Sequence, residues 1–369
     1  AGGLKAVVIT ENIQTVILLS GSIILTVIAI YAVGDTGISS IEELKAALKP
    51  GQLEMLHGAD SEIGKNHGYT WYAFFLGYPV LGIWYWCTDQ TIVQRVLGAA
   101  TQRDAQAGPF FAGLLKILPA FILVLPGALA YVLFKDQIAH PNETLPVLIN
   151  ELLPIGLRGV FAAALLAALM STIAAALNSS SSLVAMDIVK RLRPDTSDKA
   201  QVKIGRYTAV VVMIVAILWS TQGGSFESIF QAINDMAGAI APPISAVFLL
   251  GVFYRRVTKE AAFYTLLIGF ILGVTLFMLD FETISGAKYI TNGLGIPFLM
   301  RTWWVFCFCC ILFLVISLLT PRPDEEQIAN TTFENPMQLF KGKLKGLKDA
   351  RVLALGLLVL MVILYSVFG

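Results

Sequence analysis

The sequence predicts an all-α membrane protein with about nine transmembrane helices, and three observations lead there. Hydrophobic residues make up 56% and charged residues 14% of the 369 positions, and the mean hydropathy is +0.74. Soluble chains sit near ~45–50% and ~25%, because they need more charge to cover their surface. The charges fall in clusters separated by apolar stretches of ~20 residues or more, the length a helix needs to cross about 30 Å of hydrocarbon. The basic residues are also shared unequally between alternate loops.

The apolar stretches run at 6–34, 69–95, 109–134, 157–187, 204–222, 226–254, 260–281, 301–320 and 350–368. The second and sixth are interrupted by Asp89 and Asp235. With the start of the chain cytoplasmic, the inside segments carry Lys5; Arg95 and Arg103; Lys190 to Arg206; Arg255, Arg256 and Lys259; and Arg322 to Arg351. The outside segments carry Lys45, Lys49, Lys65, Lys135, Arg158, Lys288 and Arg301. That is 18 basic residues inside against 7 outside, the bias expected of cytoplasmic loops, and it places the carboxyl terminus outside. Between the spans, 35–68 reads as an external cap with a polar helical stretch from Ile41 to Leu48, and 321–349 reads as a charged cytoplasmic linker.

A net charge of +1 offers no basic face for nucleic acid, so the expected surroundings are a lipid bilayer, of a plasma or bacterial inner membrane. Cys87, Cys307, Cys309 and Cys310 lie inside apolar stretches and read as packing residues rather than metal ligands. His57, His67 and His140 fall in the external loops, and no zinc-protease or serine-hydrolase motif occurs, so an enzyme is not expected.

Polar groups inside the apolar stretches point to function, because lipid cannot satisfy them. The run from Trp84 to Gln90 holds two tryptophans, Tyr85, Thr88 and Asp89. It reads either as an interfacial belt or as an aromatic wall of a polar cavity suited to the C–H face of a pyranose. Lys116, about 10 Å into the third stretch at 1.5 Å per residue, either snorkels to the interface or donates to a hydroxyl-rich ligand. Ser171 and Thr172 follow an Ala-rich segment, Ala162 to Ala168. Such hydroxyls either bond their own i−4 carbonyls or offer neutral oxygens to a hard monovalent cation. Gln231, Asn234 and Asp235 precede Pro242 and Pro243, which free helix carbonyls, as broken helices do near transporter sites. Glu11 lies one or two turns into the first stretch, as an interfacial residue or part of an ion path.

These residues resemble the sodium/solute symporter family. The resemblance rests on Gly2-Gly3-Leu4-Lys5-Ala6, on Trp84-Tyr85-Trp86-Cys87-Thr88-Asp89-Gln90 with Gln94-Arg95, and above all on Leu153 to Asp187. The tryptophan-rich run looks like the sodium/glucose cotransporter branch. The resemblance covers residue 1 to about 255 and continues more weakly beyond.

It implies a leucine-transporter-type fold of two inverted five-helix repeats plus peripheral helices. Residues 1–34 would be the last helix of the first repeat, 69–254 the whole second repeat, and 255–369 three peripheral helices. The earlier core helices, including the broken first one, would then be supplied by further N-terminal sequence. By the same resemblance, the Ala168 carbonyl and the Ser171 and Thr172 hydroxyls match sodium ligands, and Glu11 matches an acidic residue on the sodium exit path. Tyr85 matches an inner-gate aromatic that stacks on sugar, with Trp86 beside it, and Lys116 matches a sugar-contacting lysine. Three departures bear on the solute and the coupling. Asn234 stands where a glutamine is usual, Gly82 where a polar contact is common, and Ala174 and Ala175 where two-sodium members carry hydroxyls.

The function expected is sodium-coupled symport of a glucose- or galactose-like sugar by alternating access, with one sodium ion per solute. Inositol or another small organic solute, or a transporter-like membrane sensor module, are the alternatives.

Overall fold

The computed structural model describes residues 3–222, 228–329, 331–334, 346 and 349–368, with no side-chain detail for 3–7, 65–67 and 327. In chain order the helices are α1 Gly3–Gly34, α2 Ile41–Ala47, α3 Glu62–His67, α4 Trp71–Cys87, α5 Gln90–Leu97, α6 Gln102–Leu115, α7 Leu125–Phe134, α8 Thr144–Leu152 and α9 Ile155–Ser182. They continue as α10 Lys190–Leu192, α11 Asp198–Ser220, α12 Ile229–Phe253, α13 Lys259–Asp280, α14 Glu282–Ser285, α15 Phe298–Leu319, α16 Glu325–Ile328 and α17 Ala350–Phe368.

Eight helical segments among the described residues are long and apolar enough to cross a membrane. They coincide with eight of the nine stretches read from the sequence. The remaining stretch, 69–95, is a broken helix: α4 is 17 residues long, and α5 restarts after Thr88 and Asp89. The break has a local cause. The Thr88 and Asp89 N–H groups both donate to the Trp84 carbonyl, at 3.0 and 2.9 Å, and the Thr88 hydroxyl adds a third bond to it at 2.7 Å. The Asp89 carboxylate then accepts from the Thr91 N–H at 2.8 Å and from the Thr91 hydroxyl, so it caps the first turn of α5.

Other boundaries move for equally local reasons. The third span starts at Gln102, is interrupted at Lys116 and Ile117, and passes through a π-helical turn at Ala120–Val124. The eighth starts at Phe298, so Arg301 is a buried first-turn residue of a helix rather than part of an external loop. In the segment 35–68, α2 matches the expected helix. Its N-cap Ser40 and Glu43 form a capping box, and bonds from Ser39 and Ser40 hold the Glu43 carboxyl below its usual range. The linker lysines Lys341, Lys343, Lys345 and Lys348 lie outside the described residues, as do Gly2 and positions 226–227 of the sixth stretch.

The chain divides into two compact units, one of residues 1–53, 97–99 and 111–224, the other of residues 54–96, 100–110 and 225–369. The expected repeat segment 69–254 contributes to both. In the first unit α1 packs on α9, α7 and α8 around Leu25, Ala130, Leu148, Leu153 and Phe161. Gly21 makes the closest approach: a Cβ there would stand 2.9 Å from the Phe161 ring. The π-helical turn has a partner as well, since the Thr26 hydroxyl reaches the Ile122 carbonyl at 3.1 Å.

In the second unit α12, α13, α15 and α4 form the packed core. Pro242 and Pro243 are buried in α12, and, lacking N–H groups, they leave the carbonyls of Gly238 and Ala239 without their i+4 donors. Gly273 of α13 lies against the Ala239 carbonyl so closely that a Cβ would overlap it. The freed carbonyl is thus covered by protein, the condition under which membrane helices tolerate internal proline. Cys309 is fully buried on α15 beside Gly269, with Val80, Ala246, Val305 and Phe306 in the same cluster.

Candidate functional site

The residues expected to handle a cation all lie in the first unit, on α1 and α9. Two contacts set the register of these helices: Gly21 against Phe161, and the Ser171 hydroxyl, which donates to Glu11 Oε1 at 3.0 Å. As one residue number rises the other falls, so the helices run antiparallel. A residue pair 160 positions apart in sequence is joined by one bond. The Thr172 hydroxyl donates to the Ala168 carbonyl at 3.0 Å, the i−4 bond common to hydroxyls in membrane helices. The structure therefore brings together Glu11 with Ser171 and Ala168 with Thr172. These are two separate pairs, one across from α9 to α1 and one within α9 with Thr172 exposed, and their atoms are neutral oxygens with a single carboxylate, the donor types that hard cations take. Among the described residues no three His, Cys, Asp or Glu side chains converge.

The alanines that replace hydroxyls have separate surroundings. Ala175 is buried at 5% exposure, while Ala174 is exposed.

The residues expected to meet a solute fall in both units. In the second unit Tyr85 and Trp86 close α4, half-buried, with their rings edge to face at 5.5 Å and 89°. They immediately precede the break at Thr88, where α4 ends. Gly82, one turn earlier, faces open space: a Cβ there would meet nothing within 4 Å. Asn234 on α12 donates one amide N–H to the Phe230 carbonyl at 2.8 Å, so its amide oxygen and its second N–H are the groups it can offer to a ligand. In the first unit Lys116 is exposed at the interruption between α6 and the π-helical turn.

One constellation was missed by reading the sequence. Arg301 of α15, at 3% side-chain exposure, bonds Asp280 of α13 at 3.0 Å and also pairs with Asp235 of α12. Asp280, at 4%, accepts further bonds from the N–H groups of Ile290 and Thr291, at 2.8 and 2.9 Å, and from the Thr291 hydroxyl at 2.6 Å. Ionisable residues in neighbouring spans seldom stay unpaired. Asp235 inside the sixth stretch, with Asp280 and Arg301 at the ends of the next two, was a usable signal for this cluster.

The model of the sodium:solute symporter family matches residues 1–269 of the chain. Among curated proteins, the sodium/mannose cotransporter SLC5A10 of Bos taurus is 34% identical over 367 residues, covering 90% of this chain and 61% of its own length. The sodium/glucose cotransporter 1 of Ovis aries is 32% identical over 360 residues, covering 86% of this chain and 53% of its own length. The sodium/myo-inositol cotransporter of Homo sapiens is 30% identical over 382 residues, with 90% of this chain and 52% of the relative covered. The chain thus spans about half to three-fifths of the length of these relatives.

Proposed function

The chain belongs to the sodium:solute symporter family, and from that premise we propose that it carries the second repeat, 69–254, and the peripheral helices of a sodium-coupled symporter for a hexose-like sugar. The observation that carries this reading is the oxygen set on α1 and α9. The Ala168 carbonyl and the Ser171 and Thr172 hydroxyls receive sodium, and Glu11 lies one bond away from Ser171 to take the ion on toward the cytoplasm.

Each hydroxyl has a role that its present bond prepares. Thr172 holds the Ala168 carbonyl at 3.0 Å, so turning its proton aside offers two oxygens side by side. Ser171 donates to a carboxylate, and sodium arriving at the Ser171 oxygen is attracted by the same charge. Neutral ligands suit a transported ion, because a cluster of carboxylates would hold it too firmly to release.

The solute lies against Tyr85, whose ring supplies a flat apolar face to the C–H side of a sugar, with Trp86 set edge-on behind it. The Asn234 amide oxygen of the same unit meets a hydroxyl, and Lys116 is a separate candidate sugar contact within the first unit. Ion and solute are exposed to one side of the membrane at a time, with the start of the chain and the linker 321–349 cytoplasmic. One sodium ion moves per solute, because Ala174 and Ala175 offer no hydroxyl for a second. A membrane potential of 100 mV contributes ~2.3 kcal/mol per sodium, or roughly 50-fold accumulation from voltage alone.

A second reading, a cyclic polyol such as myo-inositol, is favoured by the open space at Gly82 and the short Asn234 side chain, both of which leave room for a ligand of different outline. Uptake of labelled glucose, galactose, mannose and myo-inositol by the whole protein in proteoliposomes separates the two. Sodium-driven uptake of a hexose above myo-inositol is expected, and the reverse order transfers the assignment to the polyol. Uptake of none of them under a sodium gradient would overturn both.

A further inference from the structure

Gln14 takes part in none of the steps above, yet it lies on the face that performs them. It stands seven residues before Gly21 on α1, two turns of helix, so the two share a face, and Gly21 packs on Phe161 of α9. In the register fixed by Glu11 with Ser171 and Gly21 with Phe161, Gln14 is level with Ala168. It is also one turn from Glu11 on its own helix.

The amide oxygen of Gln14 is fully buried and has no hydrogen-bond partner among the described residues. A carbonyl oxygen only accepts, so it needs either a donor or a cation, and buried groups of this kind in native proteins call for an explanation. The hydroxyl donors that the register brings nearest, Ser171 and Thr172, already donate to Glu11 and to the Ala168 carbonyl. The Ala168 carbonyl is an acceptor already serving Thr172, the Glu11 carboxylate accepts from Ser171, and Ala164, Ala168 and Ala175 bring no side-chain donor. An unsatisfied amide oxygen one turn from a carboxylate is a combination that a cation completes.

We propose that the Gln14 amide oxygen is a sodium ligand, forming with the Glu11 carboxylate and the Ser171 hydroxyl a second station through which sodium passes after leaving Ala168 and Thr172. This inference rests on the sodium-symport reading and adds a residue to it. The chemistry is a neutral oxygen and a hydroxyl flanking a single carboxylate. It balances the charge of one monovalent ion and binds it loosely enough for onward movement. Ser171 belongs to both stations, so sodium moves by exchanging Ala168 and Thr172 for Gln14 and Glu11 while keeping one ligand throughout.

The test compares the whole protein with its Gln14→Met and Gln14→Glu variants in proteoliposomes, reading the half-saturating sodium for sugar uptake, the ratio of sodium- to lithium-driven uptake, and the rate of ²²Na release. Methionine keeps length and apolar packing but removes the oxygen. It is expected to raise the half-saturating sodium roughly tenfold, as loss of a hydrogen-bond-strength contact to a charged group does, and to alter the lithium ratio. Glutamate keeps an oxygen in place and adds charge, and it is expected to lower the half-saturating sodium and slow release. A purely structural role would change the amount of folded protein and leave ion selectivity alone.

Unchanged sodium activation and lithium ratio in both variants would overturn the inference. In that event Thr172→Ala tells the two readings apart: it still weakens sodium dependence if the symport reading holds. Wild-type uptake indifferent to sodium removes that reading and this inference with it.

Discussion

The α1 and α9 helices of the first unit and the α12–α13–α15 packing of the second both carry polar groups within apolar helices, the former largely exposed and the latter buried, and they satisfy them in opposite ways. On α1 and α9 the hydroxyls of Thr15, Ser20, Thr172 and Ser180 bond carbonyls of their own helix, Ser171 reaches one carboxylate, and the Gln14 oxygen has no partner among the described residues. On α12, α13 and α15 full charges are buried and saturated: Arg301 is held by Asp235 and Asp280, and Asp280 accepts three further bonds from Ile290 and Thr291. A paired buried ion is costly to disturb, because removing one partner strands the other. A weakly committed oxygen can change partners at little cost. The second arrangement suits helices that must keep their packing, and the first suits a surface along which an ion moves.

The sharpest way to break that contrast is Arg301→Met, which strands two carboxylates. It is expected to cost about 3–5 kcal/mol and to lower the unfolding temperature of the purified protein strongly, with Arg301→Lys falling between. An unfolding temperature equal to wild type would mean the cluster does not hold the second unit together. Next in size are two glycine substitutions read by the same measurement. Gly273→Ala drives a methyl into the Ala239 carbonyl and is expected to cost ~1–3 kcal/mol. Gly82→Ala enters open space and is expected to change stability by no more than about 0.5 kcal/mol. Equal losses in both would show that the close approach of α13 to α12 is not specific.

What could be read in the sequence followed from the medium. Each span must satisfy its backbone internally and stay apolar for ~20 residues, so the stretches from 6–34 to 350–368 were visible as runs. The break in 69–95 was visible only as the awkwardness of Asp89, because a hydropathy pattern does not say that Thr88 and Asp89 both bond Trp84 and restart the helix. Arg301 read as a loop charge at the end of a span, where the interface normally accepts it, and Asp280 sits at a span end as well. Burying both required α13 and α15 to be placed side by side, which is tertiary information.

The site was legible in a different way. Ser171, Thr172 and Glu11 stood out once a family resemblance supplied their roles, and the bond from Ser171 to Glu11 joins two of them across 160 residues. Gln14 did not stand out, because one glutamine in an apolar helix carries no pattern of its own. Its significance comes from what surrounds it on α9.

The central claim is that the oxygens of α1 and α9 hold the coupling ion, and one measurement tests it most directly: the initial rate of labelled-sugar uptake by the whole protein as a function of external sodium, for wild type and for Thr172→Ala at matched protein amounts. The account predicts a saturating, non-sigmoidal dependence for wild type, and a half-saturating sodium raised roughly tenfold or more in the variant with the protein still folded. A wild-type rate that is the same in sodium and in choline, or identical sodium curves for the two proteins, would contradict it.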